Sequence, residues 1–209
     1  MHYKVVHEAF GTEFRGRLLA YALSNESRFE KTGLGTEHEV DETVRVSRKL
    51  TDLGPHLAAL EQKIGDLVPE LTRFLGLAVC DEIEFEFEMV AHGHGAFYRR
   101  HIDTYTGHER SGATSDRLLS VVYYFFREPK RFEGGALRIF PNSHLCGALL
   151  QEQIDIPIEQ DMLLAFSSWE PHEVLPVSCP SREFRDSRFA INCWILRPRK
   201  NTVVRVCDD

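Results

Sequence analysis

The apolar residues of this chain change their period once, near residue 82, and that change restricts the fold more than any other feature. Before it, Phe10, Phe14, Leu18 and Tyr21 recur at helical spacing over His7 to Leu23, an amphipathic helix ending near Ser24-Asn25. A second helical pattern, Pro55 to Leu75, runs through Leu57, Leu60, Ile64, Leu67, Leu71 and Leu75 and is stopped by Gly76. It contains Gly65 and Pro69, which predict a kink or two shorter helices. After residue 82 the period is two. Ile83, Phe85, Phe87 and Met89 alternate with Glu82, Glu84, Glu86 and Glu88, which reads as a strand with one buried face and one solvated, acidic face rather than a second metal site.

Strand-like runs then recur at Ala96 to His101, Leu118 to Phe126, Ala136 to Phe140, Gln153 to Pro157, Met162 to Phe166, His172 to Val177, Arg188 to Leu196 and Val203 to Val206. Gly134-Gly135 marks a hairpin or bulge ahead of one of them. Between the two helices, the charged stretch Glu26 to Asp41 with Gly33 and Gly35 reads as an exposed, mobile loop leading to a short strand at Thr43 to Ser47. The expected class is α+β, a barrel or sandwich of antiparallel strands with the N-terminal helices packed on one side.

Inside this pattern lies Phe97-Tyr98-Arg99-Arg100-His101-Ile102-Asp103. Side chains two apart on extended backbone point the same way, so His101 and Asp103 can grip one metal ion from one side while Ile102 turns into packing. A third ligand has to come from elsewhere, and His172 in Trp169-Glu-Pro-His-Glu is the candidate. Two histidines and one carboxylate leave adjacent octahedral positions open, the arrangement associated with non-haem Fe(II) oxygenases. His92, His94, His108 and His144 read as loop or surface residues, with His94 near enough in sequence to line the cleft.

At 209 residues the chain is expected to be a single domain, residues 1–80 forming a helical flank and loop and 81–209 the strand core. A net charge of -7 argues against a nucleic-acid partner. No apolar run approaches the roughly 18 residues of a membrane span, and the opening Met-His-Tyr-Lys-Val-Val has no signal-peptide layout, so the expected location is cytoplasmic. The five cysteines are scattered and never in Cys-X-X-Cys spacing, which fits reduced thiols.

The ordered motifs resemble a known family. Met89-Val-Ala, Tyr98 to Asp103, Tyr123-Tyr124, Gly134-Gly-Ala-Leu-Arg-Ile-Phe-Pro141, His172-Glu-Val-Leu-Pro176 and Arg188-Phe-Ala-Ile-Asn-Cys-Trp194 look like the catalytic domain of prolyl 4-hydroxylases, in particular the oxygen-sensing prolyl hydroxylases and their bacterial relatives. The likeness runs from about residue 83 to 196. It implies a double-stranded β-helix of the jelly-roll or cupin kind, with Fe(II), 2-oxoglutarate and O2 as reactants and ascorbate as a further reductant. His101, Asp103 and His172 would be the iron ligands and catalytic centre, Arg188 and Tyr124 would hold the distant carboxylate of 2-oxoglutarate, and Leu137 and Ile139 would line the wall beside it. Tyr98, Arg138 and Trp194 would meet the substrate. A carboxylate at Asp103 favours hydroxylation, because halogenases of the same superfamily have a small residue there.

Two departures bear on the site. Arg188 lies sixteen residues beyond His172, farther than the family spacing, which Arg182 at ten would match. Arg188 is preferred because it opens the strand Phe-Ala-Ile-Asn-Cys-Trp, and the intervening Cys179 to Ser187 reads as a lengthened hairpin. Arg182 and Arg188 also form the Arg-X5-Arg pair of nucleic-acid demethylases in the superfamily, against which the acidic net charge stands. Second, His92-Gly-His94 replaces a stretch that carries a tyrosine in the family.

The resemblance implies hydroxylation of a prolyl residue in a protein or peptide. A free amino acid or a peptide natural-product precursor is the alternative substrate, and a non-catalytic β-barrel binding module is the alternative of another class. Glu26 to Asp41 and Gly107 to Asp116 are placed to fold over a substrate. Oligomeric state has no signature in the sequence.

Overall fold

The computed structural model describes residues 2–33, 40–78, 82–141 and 152–199. In chain order the elements are β1 (Tyr3–Val6), α1 (Thr12–Ser24), β2 (Glu30–Lys31), β3 (Arg45–Val46), β4 (Arg48–Leu50), α2 (Leu57–Leu75), β5 (Glu84–His92), β6 (Phe97–His101) and α3 (Gly107–Gly112). There follow β7 (Ser115–Phe125), β8 (Glu133–Gly134), β9 (Leu137–Ile139), β10 (Ile154–Ile156), β11 (Met162–Ser167), β12 (His172–Val174), β13 (Val177–Ser178) and β14 (Arg188–Pro198).

A seven-stranded sheet runs β1-β11-β7-β14-β5-β4-β2 and a five-stranded one β10-β9-β12-β6-β3, with β13-β8 as a separate ribbon. Among the described residues the pairings are antiparallel, as in β14 with β5 and β7. Alternation along the large sheet separates two cores. Met89, Ala91, Leu119, Val121, Tyr123, Phe125, Phe189, Ile191, Cys193 and Ile195 join Phe14, Leu18, Leu60, Ile64 and Leu71 of α1 and α2 on one face. Val122, Tyr124, Leu164, Phe166 and Ala190 join Leu137, Ile139 and Ile156 of the small sheet on the other. The layers are therefore helices, large sheet, small sheet. Fully buried leucines such as Leu18, Leu60 and Leu71 each contribute about 2 kcal/mol to holding the helices down.

The helices differ from expectation in their limits. α1 begins at Thr12, not His7, because Asp161 reaches across from the turn before β11 and accepts from the Phe10 and Gly11 N–H groups at 3.0 and 2.8 Å. The two residues that lead into the helix are thus tied down from 150 residues away, while Gly11 itself is the N-cap and has no side chain to cap with. α2 is one continuous helix through Pro69, and it ends with Gly76 at φ 69° while the Leu77 N–H bonds the Thr72 carbonyl.

The flank expected to be helix and loop also supplies strands to both sheets. Tyr3–Val6, unrecognised as a strand, forms the edge beside β11, and the Thr43 to Ser47 region carries β3 into the small sheet and leads into β4 of the large one. Within Glu26 to Asp41 the chain makes a 3-10 turn at Glu26–Arg28 and β2, and Phe29 and Thr32 are buried; residues 34–39 lie outside the described residues. The predicted strand at Val203 to Val206 also lies outside them. Gly107 to Asp116 forms α3 and the start of β7. Among the described residues no helix is long and apolar enough to cross a membrane.

Candidate functional site

Strands β6 and β12 are neighbours in the small sheet, and His172 stands opposite His101 in their register. Just past β6, the N–H groups of Asp103 and Thr104 both bond the Ser168 carbonyl, at 2.8 and 3.0 Å. The outcome is convergence: His101 Nε2 lies 3.5 Å from Asp103 Oδ1, and His172 Nε2 lies 3.6 Å from Asp103 Oδ2. One ligand atom from each of the three lies within 4.8 Å of the others.

Each imidazole is oriented by its other nitrogen. His101 Nδ1 is 2.8 Å from the Arg99 carbonyl and His172 Nδ1 is 2.9 Å from the Glu170 carbonyl. A carbonyl only accepts, so Nδ1 carries the proton and Nε2 keeps its lone pair for a metal. Asp103 Oδ2 accepts from Ser120 Oγ at 2.6 Å, and Ser120 meets Ser168 at 3.0 Å. Burial pushes the Asp103 carboxyl up, but His172, His101 and Ser120 outweigh it and hold the group well below the usual carboxylate range. Burial and the neighbouring His101 lower His172 to about 4. Neutral imidazole and ionised carboxylate are the forms that bind metal.

Ile102 does not turn into packing. It is 37% exposed and borders the cavity, because β6 ends at His101 and the alternation ends with it.

The triad opens on a cavity of about 420 Å³ between the sheets. At one end sits Arg188, 1% exposed, with no carboxylate within ion-pair distance among the described residues. Its Nη1 donates to His92 Nδ1 at 3.2 Å, and the guanidinium lies 4.8 Å from the centre of the Tyr124 ring. Arg188 Nε, the Tyr124 hydroxyl and His92 Nε2 are buried with no hydrogen-bond partner. Since His92 Nδ1 accepts, its Nε2 carries a proton, and all three orphans can act as donors. Burial lowers the pKa of Arg188, with Tyr124 opposing, and pushes Tyr124 up to about 12. Burial first, then Arg188 and Arg45, hold His92 well below the ordinary imidazole value. A buried cation among unpaired donors calls for an anion, because leaving such groups unsatisfied costs several kcal/mol. A carboxylate fits this cradle.

Gly135 makes the cradle possible. Its φ is 69°, and a Cβ there would lie 2.8 Å from Arg188 Cδ and 2.9 Å from Val177 Cγ2.

Among the other expected site residues, Leu137, Tyr98 and Trp194 line the cavity. Tyr98 stacks on His101 with ring centres 3.5 Å apart, and Arg117 lies 4.0 Å over the Trp194 ring. Arg138 is not brought there. It points to the other side of β9 and pairs with Asp155 at 2.5 Å and Glu173 at 3.3 Å, its neighbours on β10 and β12. Ile139 is buried in the core between the sheets. Arg182 occupies an exposed turn with φ 56° and borders a different cavity of about 470 Å³.

Three features went unrecognised in the sequence. His92, expected on a loop or surface, is the last residue of β5 and faces Arg188 across the ladder. His94 does sit near a cavity, but the second one, where its Nδ1 accepts from the Cys179 N–H at 3.2 Å. His144 and the side chain of His108 lie outside the described residues. The glutamate face of β5, expected to be solvated throughout, is exposed at Glu82 and Glu84 but borders the cavity farther along: Glu86 binds Arg117 at 2.6 Å and buried Glu88 binds Arg45 at 3.0 Å. Ser120 was hidden in an apolar run, where its only signal was a polar residue on the same face as Val122 and Tyr124.

Two histidines and a carboxylate beside a cationic cradle define the class of mononuclear non-haem iron oxygenases that take an organic acid as a partner. Residues 87–196 match the family described as the 2OG-Fe(II) oxygenase superfamily, and the chain belongs to it. It is 37% identical over 147 residues to a relative named as an uncharacterized PKHD-type hydroxylase of Synechocystis, covering 68% of this chain and 46% of the relative. The chain thus spans about half the length of that curated relative.

Solved structures share the fold, among them two prolyl hydroxylases. One is a Pseudomonas putida prolyl-4-hydroxylase, with a TM-score of 0.65, 23% identity and 94% of each chain covered. The other is a Trichoplax adhaerens prolyl hydroxylase in complex with a hypoxia inducible factor oxygen degradation domain peptide fragment. It has a TM-score of 0.67 and 20% identity, covering 93% of this chain and 83% of that one.

Proposed function

We propose that the protein is an Fe(II)- and 2-oxoglutarate-dependent dioxygenase built on a double-stranded β-helix, and that it hydroxylates a prolyl residue in a protein or peptide. The observation that carries this reading is the pairing of a three-ligand cluster with a buried guanidinium that has no acid within ion-pair distance among the described residues. His101, Asp103 and His172 would hold the metal; Arg188 and Tyr124 would take the distant carboxylate of 2-oxoglutarate, with Leu137 as the wall beside it. Iron bound there supplies the oxidising chemistry, in which one oxygen atom of O2 enters a substrate C–H bond and the other enters succinate as 2-oxoglutarate loses CO2.

The chain's own residues do the positioning. Arg99 and Glu170 carbonyls fix the imidazole tautomers, Ser120 fixes the carboxylate, and the Gly134-Gly135 turn leaves room for Arg188. Tyr98, Trp194 and Tyr105 present aromatic surface at the cavity suited to a pyrrolidine ring. The likeness of the motifs to prolyl hydroxylases supports the prolyl substrate. A free amino acid is a second reading favoured by the paired charges that line the cavity, Arg117 with Glu86 and Arg45 with Glu88, which suit a zwitterion. A non-catalytic binding module would have no use for orphaned donors beside a metal cluster.

The test is anaerobic addition of Fe(II) and 2-oxoglutarate, which is expected to give a visible metal-to-ligand charge-transfer band that Asp103→Ala abolishes. With O2 admitted, prolyl peptides and free L-proline are followed for a mass gain of one oxygen atom and for succinate. Absence of the band in the wild type would end the enzymatic reading.

A further inference from the structure

The geometry points to Glu88 as a specificity-determining residue whose free oxygen accepts a hydrogen bond from an N–H group of the substrate. This rests on the oxygenase reading above and narrows it. Glu88 lies on the cavity face of β5, opposite Asn192 of β14, and is 7% exposed. Its Oε1 receives both available donors: Arg45 Nη2 at 3.0 Å and Asn192 Nδ2 at 3.0 Å. Its Oε2 makes no hydrogen bond among the described residues, yet the residue lines the cavity that holds the triad.

That oxygen is open to the cavity rather than sealed in the core, so a donor on a bound molecule can reach it, and a hydrogen bond to a charged acceptor is among the stronger kinds. Arg45 cannot swing across to serve it without giving up its own ties, since its Nε donates to Ser47 Oγ at 3.0 Å and its guanidinium lies 4.6 Å from the centre of the Tyr98 ring. Tyr98 in turn stacks on His101, so Glu88 and the triad are linked through two packed side chains. The cavity therefore offers donors at the Arg188 end and an acceptor at Glu88. The first suits an organic acid and the second an amine or amide.

A prolyl nitrogen within a peptide has no hydrogen. The N–H groups nearest the ring on its carboxyl side and on its nitrogen are the backbone amide of the residue following the proline in a peptide and the protonated amine of a free proline, and the inference is that Glu88 takes one of these two. Two probe pairs separate these sources: acetyl-Ala-Pro-Ala-amide against the same peptide N-methylated at the last alanine, and L-proline against N,N-dimethylproline. Each is titrated calorimetrically into the Fe(II)- and 2-oxoglutarate-loaded enzyme under argon, and the quantity read is the affinity ratio within a pair, so that general weakening of a variant cancels.

In the wild type the pair carrying the true donor is expected to show a ratio of about tenfold or more, the size of one hydrogen bond to a charged group. Glu88→Ala should bring it near one. Glu88→Gln should do the same, because Arg45 and Asn192 hold the amide oxygen at the Oε1 position and leave the NH2, a donor, facing the cavity. An unchanged ratio in both variants, or no N–H preference in the wild type, overturns the assignment. If the unmethylated probes bind and are hydroxylated without that preference, only this inference falls; if no probe binds while the charge-transfer band forms, the prolyl reading falls with it.

Discussion

Arg188 and Arg182 are six residues apart and chemically identical, and burial sets them apart. Arg188 is enclosed with orphaned donors around it, while Arg182 stands on an exposed turn. Arg188→Ala is expected to weaken 2-oxoglutarate binding by about a hundredfold, the consequence of about 3 kcal/mol for a buried anion left without its cation. Arg182→Ala should change it less than about twofold, as surface substitutions do. Titration of the Fe(II)-loaded protein with 2-oxoglutarate measures both, and the opposite order would reassign the anchor. Spacing from His172 favours Arg182, the exposed residue, because the nine residues from Cys179 to Ser187 separate the buried Arg188 from it. His92 was illegible for a different reason. It sits among glycines that suggest a loop, and only the ladder reveals that it shares the cavity face of Glu88 and lies opposite Arg188.

At the scale of elements, the period-two pattern of β5 was read correctly as a strand, and its acidic face is solvated only at the start. Alternation shows that a strand has two unlike faces; it does not show what covers each along its length. In this chain Glu84 is exposed and Glu86 partly so, while Glu88 is enclosed with Arg45 where the small sheet covers that face. The start of α1 was displaced for a related reason, since its lead-in is held by a residue distant in sequence. Asp161 accepts from Phe10 N, Gly11 N and the Tyr123 hydroxyl, the last at 2.7 Å. Asp161→Ala should cost about 1–3 kcal/mol by leaving those donors without their acceptor. Asp161→Asn, which keeps one oxygen and tolerates the φ of 59°, should cost less. Urea unfolding midpoints rank the three proteins, and equal midpoints would show that this anchor contributes nothing.

For the whole molecule the buried imidazoles set a limit on acid tolerance. His92 and His172 are both held below the ordinary value, mainly by burial, and His172 falls to about 4. Unfolded, each titrates near about 6.5, so at lower pH the unfolded chain binds protons that the folded chain refuses. The stability they permit is present above about 6.5 and is lost as pH falls toward about 4, on the order of 3 kcal/mol for His172. The metal-free protein is therefore expected to unfold at lower urea at about pH 5 than at about pH 7, with a shallower decline in His92→Gln. A flat profile across that range would contradict the placement of these rings.

The division of β14 into Phe189, Ile191 and Cys193 toward the helices and Arg188, Asn192 and Trp194 toward the cavity makes its residue count critical. A one-codon gain or loss inside that strand would shift every residue beyond it by one place. Polar groups would then be driven among the helices and aliphatic ones into the reaction chamber. In the connection before it, Cys179, Asp186 and Ser187 are buried, but the exposed turn at Pro180 to Glu183 carries no such constraint and can lengthen more readily. In this architecture, genetic drift in length is expected to collect at such bends and to spare the strands between them.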